Sequence, residues 1–435
     1  VASPKKLACQ TFGCRLNQYE TEKMAAELRP FGFERVSDNE SADLYLINTC
    51  TVTHRADRDC RNYIRQVVKK NPGARIAVAG CYVDYDPENV AQMDGVDAII
   101  LNSEKDSIAE LLPGRIPDLF DVEPDKNCST MVTDFFERNR AWIKISDGCN
   151  QWCSFCIIPN VRGRLRHRPA YEIISEINHL VEQGYKEVVL TGVNIGYYYD
   201  EAGILRAKNL AELCRLIFAN TDLHRLRLSS IESQTIGPDL LDAYANSSGR
   251  FCRHWHIPMQ SGSSRILKLM QRPYEREAYI RRLELVKQVN PRTIIGADVI
   301  VGFPGETEDD FAESKSLAES RLLDYLHVFS YSDRKGTRAD AITEKVDPFV
   351  IRQRSAVLNS ISNQIRRLAH DRQIGESLEV IPHHKTNEGG EGWGVADNFL
   401  KVKLPHNSDN ASALINILVN AAFDDHLEGD AVHFR

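Results

Sequence analysis

The residues with the most chemistry in this chain are its cysteines, and two groups of three stand out. Cys149, Cys153 and Cys156 lie in the run Cys149-Asn-Gln-Trp-Cys153-Ser-Phe-Cys156, just after a short apolar stretch. Three thiolates at that spacing wrap one face of a cubane iron–sulfur cluster and leave the fourth iron without a protein ligand. An open iron chelates the amino and carboxylate groups of S-adenosylmethionine, and one electron then breaks the S–C bond homolytically. The bland alternative is a structural zinc site completed from elsewhere, by His167 for instance. Zinc sites usually draw on C-x2-C pairs, which weighs against it. The second group is Cys14, Cys50 and Cys81, each flanked by glycine or polar residues. Singly, each reads as a buried core cysteine. At three successive strand ends they read together as ligands of a second cluster.

These groups need elements to hold them. The first 130 residues alternate short apolar runs (6–11, 44–48, 75–79, 96–101) with helical segments (20–29, 57–70, 104–111). Such alternation predicts a parallel sheet with crossover helices, whose carboxyl edge is where ligands bind. Residues 113–129, rich in proline and aspartate, read as a linker or surface excursion. From 140 to about 370, six further strands (141–146, 187–190, 225–229, 255–258, 294–301, 325–330) alternate with helices at 171–183, 210–219, 237–245, 275–289 and 308–319. Six repeats suit a partial β/α barrel. A long helix over 349–372 follows. Short aliphatic runs at 378–382, 400–404, 415–419 and 431–434, separated by Gly, Asn and Asp, predict a small all-β barrel. The expected fold class is therefore α/β. It has a flavodoxin-like N-terminal domain (1–130), a central partial (β/α)6 barrel (131–371) and a C-terminal β barrel (372–435).

Composition narrows the setting. Of 435 residues, 42% are hydrophobic and 26% charged, and the net charge is −7, so any nucleic-acid contact must come from a local basic patch. No apolar run reaches the roughly 18 residues of a spanning helix, and no basic stretch leads an apolar one at the start. Eleven cysteines are too few for a disulfide scaffold, so a reducing cytoplasm is expected. Cys9 and Cys214 read as core, while Cys60, Cys128 and Cys252 have no partner spacing.

The three-cysteine loop, with the aromatic Phe155 before its last cysteine, resembles the radical S-adenosylmethionine superfamily. The motifs Thr191-Gly192-Val-Asn194 and Ala297-Asp298-Val-Ile-Val-Gly302-Phe-Pro-Gly-Glu-Thr agree in order and spacing. With the second cysteine group and the β barrel, the whole chain from about residue 5 resembles the methylthiotransferases. That resemblance implies two 4Fe–4S clusters, an auxiliary one on Cys14, Cys50 and Cys81 and a radical-generating one on Cys149, Cys153 and Cys156. It also implies S-adenosylmethionine contacts from Phe155, Thr191, Gly192, Asn194, Ser230, Glu232, Gln260, Asp298 and Gly302, and a TRAM-type RNA-binding barrel. Implied partners are a tRNA substrate, a reducing donor of flavodoxin or ferredoxin type and a sulfur donor, with no membrane.

Among the branches of that family, Gly13-Cys14-Arg15-Leu16-Asn17-Gln18-Tyr19-Glu20-Thr21 is similar to the threonylcarbamoyladenosine tRNA branch. The isopentenyladenosine branch typically has Gln-Met-Asn there, and the branch acting on an aspartate of a small-subunit ribosomal protein has Pro-Lys-Asn. Asn160, where an aromatic is common, and Asn194, where His is common, depart from the pattern. The implied reaction replaces the hydrogen on carbon 2 of the adenine 3′ to the anticodon with a methylthio group. One S-adenosylmethionine methylates a sulfur on the auxiliary cluster, and a second yields the 5′-deoxyadenosyl radical. An aromatic C–H of this kind offers no proton to a side-chain base, so no acid or base is assigned. A non-catalytic iron–sulfur or zinc RNA-binding module would need no cofactor loop.

For RNA, Arg162, Arg164, Arg166 and Arg168 alternate in a stretch without acids between Cys149 and Tyr171. In an extended loop they would share one side and form a phosphate track beside the cluster. Tyr197, Tyr198 and Tyr199 read evenly as base-stacking or packing residues. The segment 371–435 carries 5 Lys/Arg against 11 Asp/Glu, which is unusual for a tRNA-gripping barrel. Either its lysines, Lys385, Lys401 and Lys403, share a face with Trp393 and Phe399, with Lys401 and Lys403 as nucleic-acid contacts, or the barrel orients the enzyme and adds little affinity.

Overall fold

The computed structural model describes residues 4–132, 135–136, 138–201, 204–383, 392–404 and 414–432. It begins with five parallel strands: β1 (Lys5–Thr11), β2 (Phe33–Val36), β3 (Leu44–Thr49), β4 (Arg75–Gly80) and β5 (Ala98–Ile100), in the order β2-β1-β3-β4-β5. That is the flavodoxin-like order, with its switch point between β1 and β3. Strand β3 is buried along its whole length, as a central parallel strand must be. Helices α1 (Arg15–Leu28), α2 (His54–Lys70), α3 (Cys81–Tyr85), α4 (Pro87–Ala91) and α5 (Ile108–Arg115) cover its faces. Helix α2 starts where the Thr53 hydroxyl accepts from Ala56 N at 3.2 Å; Asp57 lies in its first turn and Lys69 and Lys70 in its last, as the dipole favours. The stretch read as a linker is tied down. Helix α5 runs through Pro113, and Phe120 packs edge-on against Phe31 with centroids 5.0 Å apart.

The central strands are β6 (Arg140–Lys144), the short antiparallel pair β7 (Ser146–Asp147) and β8 (Arg166–His167), then β9 (Glu187–Thr191), β10 (Arg225–Leu228), β11 (His254–His256), β12 (Ile294–Val301) and β13 (Tyr325–Ser330). They form two parallel sheets, β10-β9-β6 and β11-β12-β13, joined by parallel bridges Leu226–Phe251 and Ser230–His256. The result is a six-stranded partial barrel whose free edges are β6 and β13. Around it lie α6 (Ile158–Arg162), α7 (Ala170–Glu182), α8 (Leu210–Asn220), α9 (Pro238–Ala245), α10 (Ser264–Leu269), α11 (Arg276–Val289), α12 (Glu308–Glu319) and α13 (Pro348–Asp371). Helix α12 opens with a capping box between Thr307 and Asp310.

Strands β14 (Ser377–Pro382), β15 (Gly392–Ala396), β16 (Lys401–Leu404), β17 (Ile415–Ala422) and β18 (Leu427–Ala431) close into a barrel in the order β14-β15-β16-β18-β17. The last strand lies earlier than the run expected at 431–434, ending at Ala431, and residues 433–434 of that run lie outside those described. The barrel core takes in Ile294, Tyr325 and Ala369, so it is seated on β12, β13 and α13. No helix among the described residues is long and apolar enough to cross a membrane.

Candidate functional site

Cys14, Cys50 and Cys81 each follow directly on or just after β1, β3 and β4, three adjacent strands, at their carboxyl ends. The turns that carry them are tight. A Cβ on Gly13 (φ +94°) would lie 2.9 Å from the Cys50 sulfur, and one on Gly80 (φ +101°) 2.4 Å from the Thr49 carbonyl. Asn17 ties two of the turns together, donating to Phe12 O and Thr49 O at 2.9 Å each. Burial pushes the Cys50 thiol up to about 12, with the nearby Cys81 and Cys14 adding to it.

The loop with Cys149, Cys153 and Cys156 leaves β7 toward α6. Cys156 N donates to Cys153 O at 3.0 Å, and Ser154 Oγ donates to Leu269 O at 2.8 Å, anchoring the loop to α10. Trp152 sits at φ +48°, a costly conformation for an aromatic, and stands half exposed between the cysteines. Burial, then the neighbouring Cys153, raises the Cys156 thiol to about 12. A buried Arg272 donates to Cys153 Sγ at 3.1 Å and pairs with Glu232. Asn194 Nδ2 lies 3.7 Å from Cys149 Sγ.

Both triads suit an iron–sulfur cluster. Among the described residues no group of His, Cys, Asp and Glu is arranged to hold a single metal ion. A cubane asks something different, because each thiolate binds its own iron. Each triad also receives a buried guanidinium, Arg162 Nε on Cys81 Sγ at 3.2 Å and Arg272 on Cys153, as thiolates would require. A polar ligand at the barrel mouth fits as well. Buried polar atoms of Ser146, Asn194, Ser229, Ser233 and Gln234, all at carboxyl ends of barrel strands or just beyond, lack hydrogen-bond partners among the described residues.

The expected cofactor residues divide. Asp298, on β12, lies 3.3 Å from His256 Nε2, and Ser230 Oγ is 2.8 Å from His256 Nδ1. Gln260 takes φ +61° while its N–H donates to Asp298 O at 2.9 Å. Phe155 is packed with Phe303 and Ala339 in a small apolar cluster, and Thr191 is buried at the end of β9. Two glycines have packing reasons. A Cβ on Gly192 would meet Ser146 Oγ at 2.4 Å, and one on Gly302 would meet Ile351 Cγ1 of α13 at 2.4 Å. Gly302 thus makes room for a helix rather than for a flat ligand.

The arginine track needs correction. Arg162 is buried, because its five donors are consumed inside the protein: it contacts Glu20 at 2.8 and 2.9 Å, Asp147 at 3.0 Å, Asn17 at 2.6 Å and Cys81. Arg168 is partly buried on Glu176 at 2.8 Å and on the Tyr19 hydroxyl at 3.0 Å. Only Arg164 and Arg166 of the four stay exposed. The break comes from α6, whose last residue is Arg162; the loop is not extended there. The tyrosines split too: Tyr198 is buried, donating to Arg168 O at 2.8 Å, while Tyr197 and Tyr199 are exposed.

On the C-terminal barrel, Lys401 stands over the Trp393 ring at 3.7 Å, and Lys403 pairs with Glu428 at 3.5 Å. Lys385 lies outside the described residues. Phe399 does not share that face. Held at φ +71°, it turns inward and stacks on His254 with centroids 4.4 Å apart.

Sequence reasoning missed Arg272, Lys105, Lys144, Asp147 and Asn102. Lone charged residues far apart in the chain carry no spacing signal. Lys105 and Lys144 reach Glu20 at 2.5 and 3.3 Å, and Asn102 donates to Val161 O at 2.9 Å.

Residues 6–102 match the uncharacterized protein family UPF0004, and residues 143–318 match the radical SAM superfamily. The threonylcarbamoyladenosine tRNA methylthiotransferase MtaB of Bacillus subtilis (strain 168) is 34% identical, over 98% of this chain and 96% of that protein. Its Chlamydia pneumoniae counterpart is 36% identical, over 96% and 95%. A tRNA-2-methylthio-N(6)-dimethylallyladenosine synthase of Acetivibrio thermocellus is 31% identical, over 98% and 91%. Among solved structures, the radical S-adenosylmethionine methyltransferase TsrM from Kitasatospora setae, with cobalamin and a 4Fe-4S cluster bound, superposes with a TM-score of 0.55. It is 15% identical over 78% of this chain and 77% of that one, so that likeness speaks to the fold alone.

Proposed function

Because this chain belongs to the radical SAM methylthiotransferases of the MtaB type, we propose that it methylthiolates carbon 2 of N6-threonylcarbamoyladenosine in tRNA. The observation that carries the reading is the buried arginine that joins the surroundings of the two cysteine groups. Helix α6 begins two residues after Cys156 and ends at Arg162, whose guanidinium reaches Cys81 across the boundary between the two sheets. One buried arginine thus links the loop of the second group to a cysteine of the first.

Family membership implies S-adenosylmethionine and a 4Fe–4S cluster, which Cys149, Cys153 and Cys156 would hold; Cys14, Cys50 and Cys81 would hold a second. When bound, the first cluster supplies the electron that cleaves S-adenosylmethionine. The chain's own residues then position and shield. Arg272 and Arg162 offset thiolate charge, while Asn194, Ser230, Glu232 and Asp298 offer polar contacts around the barrel mouth. Phe155, Thr191, Gly192 and Gln260 would shape that pocket's walls. Arg164, Arg166, which also lies 3.7 Å from Asp147, and Lys401 are the exposed cations of the expected set for phosphates. The proposed division is 1–130, 131–371 and 372–435, the last of TRAM type. A reducing donor, a sulfur donor and a cytoplasmic setting complete the proposal.

The test is nucleoside mass spectrometry of tRNA incubated anaerobically with reconstituted enzyme, S-adenosylmethionine, sulfide and reductant. A 2-methylthio product from threonylcarbamoyladenosine, and none from isopentenyladenosine, is the expected result. The reverse preference would move the chain to the dimethylallyl branch, to which it is also similar. With 5′-deoxyadenosine formed but no modified nucleoside, the substrate would be sought on the ribosomal protein instead.

A further inference from the structure

Arg15 is placed where folding gives no reason for a cation. It is the first residue of α1, directly after Cys14, and a positive charge there opposes the helix dipole. Among the described residues its guanidinium makes no hydrogen bond and no ion pair; it lies over the face of Phe399, 5.2 Å from the ring centroid. Its surroundings are already cationic. Arg140 and Arg227 approach the same ring at 5.8 and 5.3 Å. The acid nearest to it in the electrostatics, Glu187, is occupied by Arg140, Arg225 and Arg227 at 3.4, 2.7 and 2.8 Å. Arg15 is the guanidinium left over, repelled by Arg227.

The position explains what could satisfy it. Arg140 belongs to β6 and Tyr325 to β13, the two free edges of the partial barrel; Arg140 shares the Phe399 ring with Arg15, and His254, on which that ring stacks, is 2.8 Å from the Tyr325 hydroxyl. It thus stands at the open side of the barrel, one residue from Cys14, over the Phe399 ring that stacks on His254. A ligand entering through that opening meets an aromatic wall of Phe399, His254 and Tyr325 and one unpaired fork of donors. Such a fork matches a carboxylate with two parallel hydrogen bonds.

We propose that Arg15 binds the carboxylate of the threonylcarbamoyl substituent and so sets which modified adenosine is accepted; this rests on the tRNA reading above. The threonyl group carries that carboxylate, whereas a dimethylallyl group is pure hydrocarbon. A hydrocarbon in the same place leaves the guanidinium desolvated and unpaired, so the residue selects by attraction and by penalty together.

The experiment measures binding of the reconstituted holoenzyme to fluorescent anticodon stem–loops by anisotropy. Three RNAs are compared: threonylcarbamoyladenosine, its methyl ester, and unmodified adenosine. The wild type should favour the free acid over the ester by roughly 30- to 100-fold, within the range for charge-assisted pairs. Arg15→Gln and Arg15→Met should bring that ratio close to one, and Arg15→Lys should keep part of it. Equal binding of acid and ester by the wild type overturns the proposal without any variant, as does a ratio unchanged in Arg15→Gln. If the wild type methylthiolates the acid while binding acid and ester alike, only the Arg15 assignment fails. If it methylthiolates no tRNA, the tRNA reading fails and this assignment with it.

Discussion

Replacing Cys149, Cys153 and Cys156 together by alanine should lower the iron content of the anaerobically reconstituted protein from about eight to about four atoms per chain. The same variant should form no 5′-deoxyadenosine. The physical basis is the separation of the two groups. Cys14, Cys50 and Cys81 are held by the turns after β1, β3 and β4, which rest on their own apolar cores on either face of the first sheet. The other triad hangs on a loop anchored to α10 through Ser154 and braced by Arg272. Losing one triad leaves the supports of the other intact. The complementary triple variant at Cys14, Cys50 and Cys81 should also retain about four irons, yet still form 5′-deoxyadenosine while yielding no methylthio product. Iron analysis with chromatographic detection of 5′-deoxyadenosine checks both. Complete loss of iron in either variant would mean one shared centre and sink the two-cluster reading.

The strands and long helices were legible because their periodicity is strong: β12, β13 and α12 lie on the residues expected. Strand β2 was not, since Phe-Glu-Arg-Val is four residues long, polar and at a sheet edge, where no burial pattern forms. Strand β15 was hidden by its glycines. A Cβ on Gly394 would meet Val380 Cγ1 at 2.4 Å, so close strand approach demands the residue that most weakens a strand signal. The cysteines announce themselves because thiolate chemistry has a spacing. The charged residues that brace them do not: Arg162 was read as a solvent-facing phosphate contact from the alternation of its neighbours, and one short helix was enough to turn it inward. Phe399 was misplaced for a related reason, as its positive φ cannot be read from residue type.

The buried group around Arg162 carries the second large effect. Arg162, Lys105 and Lys144 meet Glu20 and Asp147, drawn from α1, the segment before α5, β6, β7 and α6, so the contacts join the first sheet to the barrel. Burial pushes the Glu20 and Asp147 carboxyls up, but Arg162 and its lysine neighbours overcome it and hold both below the usual carboxylate range. Arg162→Met removes the central cation and leaves two buried carboxylates partly uncompensated, which costs about 3–5 kcal/mol. The sign with pH follows. In the wild type both folded pKa values are depressed, so the stabilisation is fully present above the unfolded carboxylate range near pH 4 and is lost only as pH falls through the lowered folded values. In the variant those values rise, so its carboxylates take up protons at higher pH and escape the penalty sooner. The stability gap between wild type and Arg162→Met should therefore be widest near neutral pH and narrow toward about pH 5. Arg162→Lys, which keeps the charge but not the fork, should recover part of the stability and little of the hydrogen bonding to Cys81. Urea denaturation of the iron-free proteins across that range measures the first effect. The midpoint potential of the auxiliary centre in Arg162→Lys measures the second, where loss of a donor to sulfur should lower it. A gap that widens on acidification, or a variant as stable as wild type at neutral pH, would show that Arg162 is not the cation on which these carboxylates depend.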